Sequence, residues 1–208
     1  MDFKALKNGL ITGLVFQLGL GPVFFFIVNL TLQRTIYDGL AGALAATIAD
    51  FFYITLALFG VGKLLEKSKT RKLFGIISSI ILVLFGLIMI NSVLGKEITT
   101  TMEIGSSNVL SSFLSVLILT LSSPLTIVFY SSVFTARAIE YKYKEKQLYT
   151  FGLAVGSMTL IFMGLTVIIF SIFQGVIPIW IIQTLNVMVG VLLIGYGTIR
   201  MVKIIRKG

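Results

Sequence analysis

The charged residues of this chain fall into short clusters separated by long charge-free runs. The longest run extends over 53 residues from Gln147 to Ile199, and another separates Lys7 from Arg34. Because about 20 apolar residues cross the hydrocarbon core of a bilayer as a helix, such runs are long enough to span a membrane. Only 12% of the residues are charged, whereas a soluble domain usually carries about 25%. We therefore expect an all-α integral membrane protein.

The spacing of the clusters predicts six transmembrane helices. They lie near residues 8–32, 38–62, 73–94, 109–135, 148–173 and 178–200. The last long run holds two of them, because Gly175 and Pro178 interrupt it. The first run is about twice as long as the apolar core of a cleaved signal peptide, so we expect it to remain as the first helix.

The distribution of lysine and arginine predicts the orientation. With the N-terminus in the cytoplasm, 15 of the 17 basic residues fall on the cytoplasmic side, and only Arg34 and Lys96 fall outside. We expect a multi-pass protein of the inner or plasma membrane with both termini in the cytoplasm. The basic loops then lie against anionic lipid headgroups, so the net charge of +9 requires no nucleic-acid partner.

Histidine and cysteine are both absent from the chain. Their absence excludes thiolate zinc sites, histidine-ligated haem and nucleophiles activated by histidine. With most enzyme mechanisms removed, we expect neither an enzyme nor a bound cofactor or metal.

The two halves of the chain resemble each other. Pro22 lies within the first expected helix and Pro124 within the fourth, and a Gly-Leu-Ala sequence occurs at residues 39–41 and again at 152–154. Because each half has three spans, the second half enters the membrane from the opposite side. We therefore expect two inverted three-helix repeats, residues 1–96 and 97–208. Broken helices at matching positions of such repeats are typical of the binding sites of secondary transporters.

Asp50 is the only ionisable residue deep within an expected span. A charge at the bilayer centre costs at least about 2.5 kcal/mol, so an acid there indicates a function. A helical face of mostly small residues surrounds it, which predicts that it points into the bundle. That face consists of Gly39, Ala43, Ala46, Asp50, Tyr53, Ala57 and Gly60. We assign Asp50 as the coupling or ion-binding residue; a permanently protonated structural acid is the alternative. The equivalent position of the second half is Met163.

Other candidate residues of a translocation pathway come from the proline breaks and from polar side chains within the spans. They are Gln17, Gly21, Pro22, Thr47, Tyr53, Ser123, Pro124 and Asn186. Gly152 and Gly156, by contrast, have the spacing of a helix-packing or dimer seam, so a homodimer is left open.

The chain resembles a known family along essentially its whole length. The stretches that carry the resemblance are Gly13-Leu14, Leu20-Gly21-Pro22, Gly39-Leu40-Ala41-Gly42, Ala49-Asp50, Leu58-Phe59-Gly60 and Ser123-Pro124. They are similar to the Pro-Gly-Pro, Gly-rich, Gly-Asp and Asn-Pro elements of the LysE/RhtB superfamily of small amino-acid exporters. Leu20, Ala49 and Ser123 stand where that family has proline, glycine and asparagine.

The resemblance implies export of amino acids or similar small solutes, driven by a proton or sodium gradient. An exporter of inorganic or metal ions with the same fold is one alternative, although a single carboxylate without cysteine or histidine is a poor site for transition metals. A membrane scaffold that transports nothing is another alternative.

Overall fold

A computed structural model describes residues 2–18, 21–59, 68–94, 108–122, 125–174, 176 and 178–206. The regular structure in these ranges is entirely helical. The helices are α1 (Phe3–Gln17), α2 (Pro22–Gln33), α3 (Ile36–Leu58), α4 (Ser68–Leu94), α5 (Val109–Leu121), α6 (Leu125–Tyr141), α7 (Glu145–Ile172) and α8 (Ile179–Arg206). The expected division between residues 96 and 97 lies outside the described ranges.

The first and fourth expected spans are each built from two shorter helices. The axes of α1 and α2 differ by 78°, and Pro22 is the first residue of α2. Proline suits that position, because its ring fixes a helical φ and the first amides of a helix have no partner in any case. In the fourth span α5 ends at Leu121 and α6 begins at Leu125. The expectation of an interrupted first span is confirmed.

Three of the described helices are long and apolar enough to cross a bilayer, and the bent pair α1–α2 adds a fourth crossing if it counts as one span. The three stretches are Ile36–Leu58, Glu145–Ile172 and Gln183–Arg206. Ser79–Asn91 and Val109–Leu121 are shorter apolar helices. The chain is therefore a helical membrane protein.

Helix α3 lies at the centre of the bundle, where it contacts α2, α5, α6 and α7. Its small-residue face is buried as expected, with Ala43 and Ala46 almost inaccessible; Gly60 lies outside the described residues. The opposite face exposes Leu44, Ile48 and Phe52. An apolar face of this kind is unfavourable in water and suits lipid.

Glycines allow two pairs of helices to approach closely. A Cβ on Gly9 of α1 would lie 2.6 Å from the carbonyl oxygen of Phe151 on α7. Between α4 and α8, a Cβ on Gly86 would lie 2.7 Å from the carbonyl oxygen of Gly190, and a Cβ on Gly190 would lie 2.8 Å from that of Gly86. Backbone contact of this kind is typical of membrane helices.

The predicted Gly152–Gly156 seam also packs within the chain. A Cβ on Gly152 would meet Ile54, and one on Gly156 would meet Phe51, both on α3. The seam therefore joins α7 to α3. This agrees with the interpretation of the Gly152–Gly156 spacing as a helix-packing seam.

Polar contacts join the N-terminal segment to the connection between α6 and α7. Asn8 Nδ2 donates to Tyr143 Oη at 2.9 Å, and the Gln147 side chain donates to Asp2. The hydrogen bond from Gln147 holds the pKa of Asp2 below its usual value. Asp2 thus stays ionised at physiological pH, and it caps α1 by accepting from the Lys4 amide.

Candidate functional site

A cavity of about 280 Å³ lies where the α1–α2 break meets the centre of the bundle. Residues from all eight described helices line its walls. The residues that line it include Gln17, Gly21, Pro22, Val23, Phe24, Ala46, Asp50, Thr120, Ser122, Thr159, Met163 and Tyr196. Four predicted site residues, Gln17, Gly21, Pro22 and Asp50, therefore come together around one space.

The Asp50 carboxylate is held by hydroxyl groups. Thr159 Oγ1 on α7 donates to Asp50 Oδ2 at 2.7 Å, and Gln17 Nε2 on α1 donates to that threonine oxygen at 2.8 Å. The Tyr130 phenol on α6 also hydrogen-bonds the carboxylate. Within the described ranges, no lysine or arginine forms an ion pair with it. Asp50 thus has neutral direct partners on α7 and α6, and Gln17 on α1 reaches it through Thr159.

The α1–α2 break brings backbone amides to the same cavity. Val23 and Phe24 belong to the first turn of α2 and line the space. The N-cap residue Gly21 provides no side-chain acceptor for the first-turn amides. These amides have no partner within the helix and carry the positive end of its dipole. The cavity therefore combines a carboxylate with a helix terminus that attracts negative charge.

Tyr53 and Thr47 lie on the same helix as Asp50 but differ in role. Tyr53 Oη donates to the carbonyl oxygen of Leu121 at 2.8 Å, which satisfies a carbonyl at the end of α5. Thr47 Oγ1 donates to the carbonyl oxygen of Ala43 at 2.7 Å in its own helix. Tyr53 thus fixes the helix end next to the cavity, and Thr47 is outside the lining.

Asn186 lies in a separate buried cluster of amide side chains. Its Oδ1 accepts from Gln33 Nε2 at 2.6 Å and from the Asn29 side chain, which joins α8 to α2. Asn186 does not belong to the cavity lining. On α8 the cavity is lined by Tyr196, which was not among the predicted residues. Ser123 and Pro124 lie outside the described residues, and the neighbouring Ser122 lines the cavity.

Two buried charges were missed by the sequence reasoning, which treated Asp50 as the only one. Asp38, at the start of α3, has no exposed surface. Ser112 Oγ and Thr35 Oγ1 each donate to its carboxylate at 2.6 Å, and Arg34 lies 3.9 Å away. Thr35 is the N-cap of α3, and a threonine three residues before an acid is a recognisable capping pattern.

Arg200 is the second of these charges. Its position near the end of the last expected helix suggested a cytoplasmic tail, but α8 continues to Arg206 and leaves Arg200 only 9% exposed. A count of basic residues cannot reveal such burial. A helix continues beyond the hydrocarbon core without any change in its sequence pattern, so the sequence does not show where the helix ends.

Thr159 and Tyr130 were also missed. A signal for Thr159 exists in the internal repeat, since it follows Gly152 by seven residues as Ala46 follows Gly39. Tyr130 has no comparable signal. Among the described residues, no group of three or more Asp, Glu, His or Cys side chains converges on a metal-sized site.

A cavity between apolar helices, with a broken helix and a partly buried carboxylate in its wall, is the arrangement of a membrane transport protein. Residues 14–203 match the family model of the LysE type translocator, and the chain belongs to this family. The resemblance drawn from the sequence motifs is thereby confirmed. Comparison with curated proteins and with solved structures found no match.

Proposed function

We propose that this translocator is a secondary exporter of amino acids or similar small solutes, driven by a proton or sodium gradient. One observation carries the proposal: Asp50 lies in a cavity at a helix break, with neutral hydrogen-bonding partners and no cationic one in the described ranges. A structural acid is normally paired. A carboxylate without a cation in a solute-sized space is available to a proton, a sodium ion or an ammonium group.

The charges around the cavity suit an amino-acid zwitterion. The first-turn amides at Val23 and Phe24 favour a carboxylate, as at broken helices in other transporters. The Asp50 carboxylate and the last carbonyls of α1 favour an ammonium group or a coupling cation. The two charges of a zwitterion would therefore meet opposite charges on the two sides of the break.

Coupling follows from the contacts of Asp50. In its ionised form the carboxylate accepts hydrogen bonds from Thr159 and Tyr130. Binding of a proton or a sodium ion changes these contacts and so alters the interactions between α3, α6 and α7. Because Gln17 donates to the same threonine, this change reaches the helix break at which the solute binds.

Two sets of contacts support the inverted repeat of residues 1–96 and 97–208. The equivalent pairs Ala46 with Thr159 and Asp50 with Met163 all line the same cavity. The Gly86–Gly190 contact between α4 and α8 is also reciprocal, since each glycine approaches the carbonyl oxygen of the other. A pseudo-twofold axis through the cavity would produce both patterns.

Orientation in the inner or plasma membrane, with cytoplasmic termini, is part of the proposal. Its support is the asymmetry of basic residues. The contacts of Asn8 with Tyr143 and of Asp2 with Gln147 agree with it, because the N-terminus and the basic connection between α6 and α7 then share one side.

An exporter of inorganic or metal ions is less well supported by the residues around Asp50. Its neighbours are a threonine, a tyrosine and a glutamine, and transition metals prefer thiolate or imidazole ligands. A scaffold without transport activity has no need for a carboxylate in a cavity.

Transport by the purified protein in liposomes tests the proposal. A panel of radiolabelled amino acids is offered with an imposed pH gradient, with an imposed sodium gradient and without either. We expect at least one amino acid to move at a rate that depends on one of the two gradients. No gradient-dependent movement of any amino acid, in liposomes where the protein is folded, would contradict it.

A further inference from the structure

Arg200 carries a buried positive charge that the described part of the chain does not neutralise. Its side chain is 9% exposed, and its Nη1 atom is buried without a hydrogen-bond acceptor in those ranges. The ion pairs there are Arg34 with Asp38 and Arg137 with Glu140, so Arg200 takes part in neither.

The neighbours of Arg200 place it next to the transport cavity. Tyr53 and Tyr196 are its electrostatic neighbours. Tyr196 lines the cavity one helical turn before Arg200 on α8, and residues four apart lie on the same helical face. Tyr53 lies one turn after Asp50 on α3. Arg200 therefore stands on the side of the cavity toward the end of α8.

A buried guanidinium without an anion is unfavourable. Its removal from water is costly unless an opposite charge and hydrogen bonds compensate. Tyr53 cannot provide the missing negative charge, because its phenol is neutral. Its Oη donates to the carbonyl oxygen of Leu121. The planar guanidinium is well suited to a carboxylate, which it binds through two parallel hydrogen bonds.

We propose that Arg200 is a binding site for the carboxylate group of the transported solute, at the entrance of the cavity on the side of the basic loops. The identification of the ligand as the transported solute rests on the proposed function; the anion site itself does not. In the proposed orientation this entrance faces the cytoplasm, from which an exporter loads. The solute would meet Arg200 first and Asp50 deeper in the cavity.

This arrangement sets the class of substrate. A solute with a free carboxylate is selected at the entrance, whereas an amide, an ester or a decarboxylated amine of the same size leaves the guanidinium unpaired. A protein group that stays buried and unpaired in the complex with the wrong ligand lowers the affinity for that ligand, and so discriminates effectively against it. We therefore expect acids to bind in preference to their amides.

Binding to the purified full-length protein tests the site without requiring transport. Amino acids and acetate are titrated in parallel with the corresponding amides, by calorimetry in nanodiscs of zwitterionic phosphatidylcholine. We expect the wild type to bind at least one carboxylate. Arg200→Met should lose about 10- to 100-fold in affinity for it and leave binding of the amide unchanged, as for loss of a charged hydrogen bond. Arg206→Met, an exposed arginine of the same helix, is the matched control and should bind as the wild type does.

Thermal unfolding without ligand separates binding from a structural role. If Arg200 serves the ligand, Arg200→Met should melt at the wild-type temperature or above it, because an uncompensated buried charge has been removed. Arg200→Lys keeps the charge without the planar fork and should still lose about tenfold in carboxylate affinity.

Three results would overturn the inference: no carboxylate binds the wild type, the preference for acids over amides survives in Arg200→Met, or Arg200→Lys binds normally while Arg200→Met fails to fold. A fourth would assign the site to lipid, namely stabilisation by phosphatidylglycerol that requires Arg200 and abolishes carboxylate binding. Failure of the proposed function gives a different result. Gradient-driven transport would then be absent, while carboxylate binding through Arg200 would persist.

Discussion

At the scale of single residues, the site depends on the hydrogen bonds of Asp50. Its partner Thr159 connects two parts of the proposed site, because it donates to Asp50 Oδ2 and accepts from Gln17 Nε2. One hydroxyl group on α7 thus connects the carboxylate on α3 to the end of α1. Without this hydroxyl, binding of a proton or a sodium ion at Asp50 should no longer affect the helix break.

Thr159→Val keeps the shape of the side chain and removes the hydroxyl. We expect the rate of gradient-driven transport to fall about 10- to 100-fold, which corresponds to the loss of a hydrogen bond to a charged group. Initial rates in liposomes measure the effect. Thr159→Ser should restore most of the rate, and Thr166→Val, in the same helix, should have little effect because its hydroxyl bonds its own backbone at Phe162. Equal rates for Thr159→Val and wild type would show that the connection has no role.

The sequence is far more informative about Asp50 than about Thr159, and the reason is physical. A charge within an apolar run is conspicuous because burial makes it costly. A threonine in a membrane helix is ordinary, because its hydroxyl can bond the carbonyl four residues earlier, as Thr47 and Thr120 do. The position of Thr159 in the internal repeat is a weak signal, and the packing of α7 on α3 is what distinguishes it clearly from these.

At the scale of helices, breaks and close contacts organise the molecule. Pro22 predicts the break of the first span because proline cannot donate to the preceding turn and suits a helix start. The bounds of α6 and α8 were less predictable. Both helices continue past the first arginine that follows the apolar run, Arg137 and Arg200, because a helix extends beyond the hydrocarbon core into the headgroup region.

The α1–α7 contact provides a prediction at this scale. Gly9→Ala places a Cβ 2.6 Å from both Ala154 Cβ and the carbonyl oxygen of Phe151, so the helices must separate. We expect a loss of about 1–3 kcal/mol in stability, as for overpacking, measured as a lower midpoint of thermal unfolding in detergent. Gly164→Ala is the control, because nothing lies within 4 Å of its added Cβ. It should be neutral or slightly stabilising. Equal midpoints for Gly9→Ala and wild type would contradict the packing.

At the scale of the whole molecule, export across a membrane requires that the two ends of the bundle face different compartments. The N-terminal segment and the connection between α6 and α7 share one end through Asn8 and Tyr143. At the opposite end, Arg34 Nη1 donates to Ser112 Oγ at 3.0 Å, between the α2–α3 connection and α5. The first end carries most of the positive charge, which is the cytoplasmic pattern.

Single cysteines test this orientation, since the chain has none of its own. Tyr37→Cys should react with a membrane-impermeant maleimide on intact cells. Lys146→Cys and Arg206→Cys should react only in inverted vesicles; all three positions are exposed. Labelling of Lys146→Cys and Arg206→Cys from opposite sides would contradict an even number of crossings between them. Reversal of the whole pattern would contradict the proposed orientation.

The central claim is that Asp50 couples transport to an ion gradient, and one measurement tests it most directly. Wild type, Asp50→Asn and Glu140→Gln are reconstituted in liposomes, and transport of a substrate amino acid is followed with and without the driving gradient. Glu140 is an exposed acid that pairs with Arg137, so it controls for the change from acid to amide. We predict gradient-driven transport in wild type and Glu140→Gln, and none above the gradient-free rate in a folded Asp50→Asn protein. Gradient-driven transport by Asp50→Asn at the wild-type rate would contradict the account.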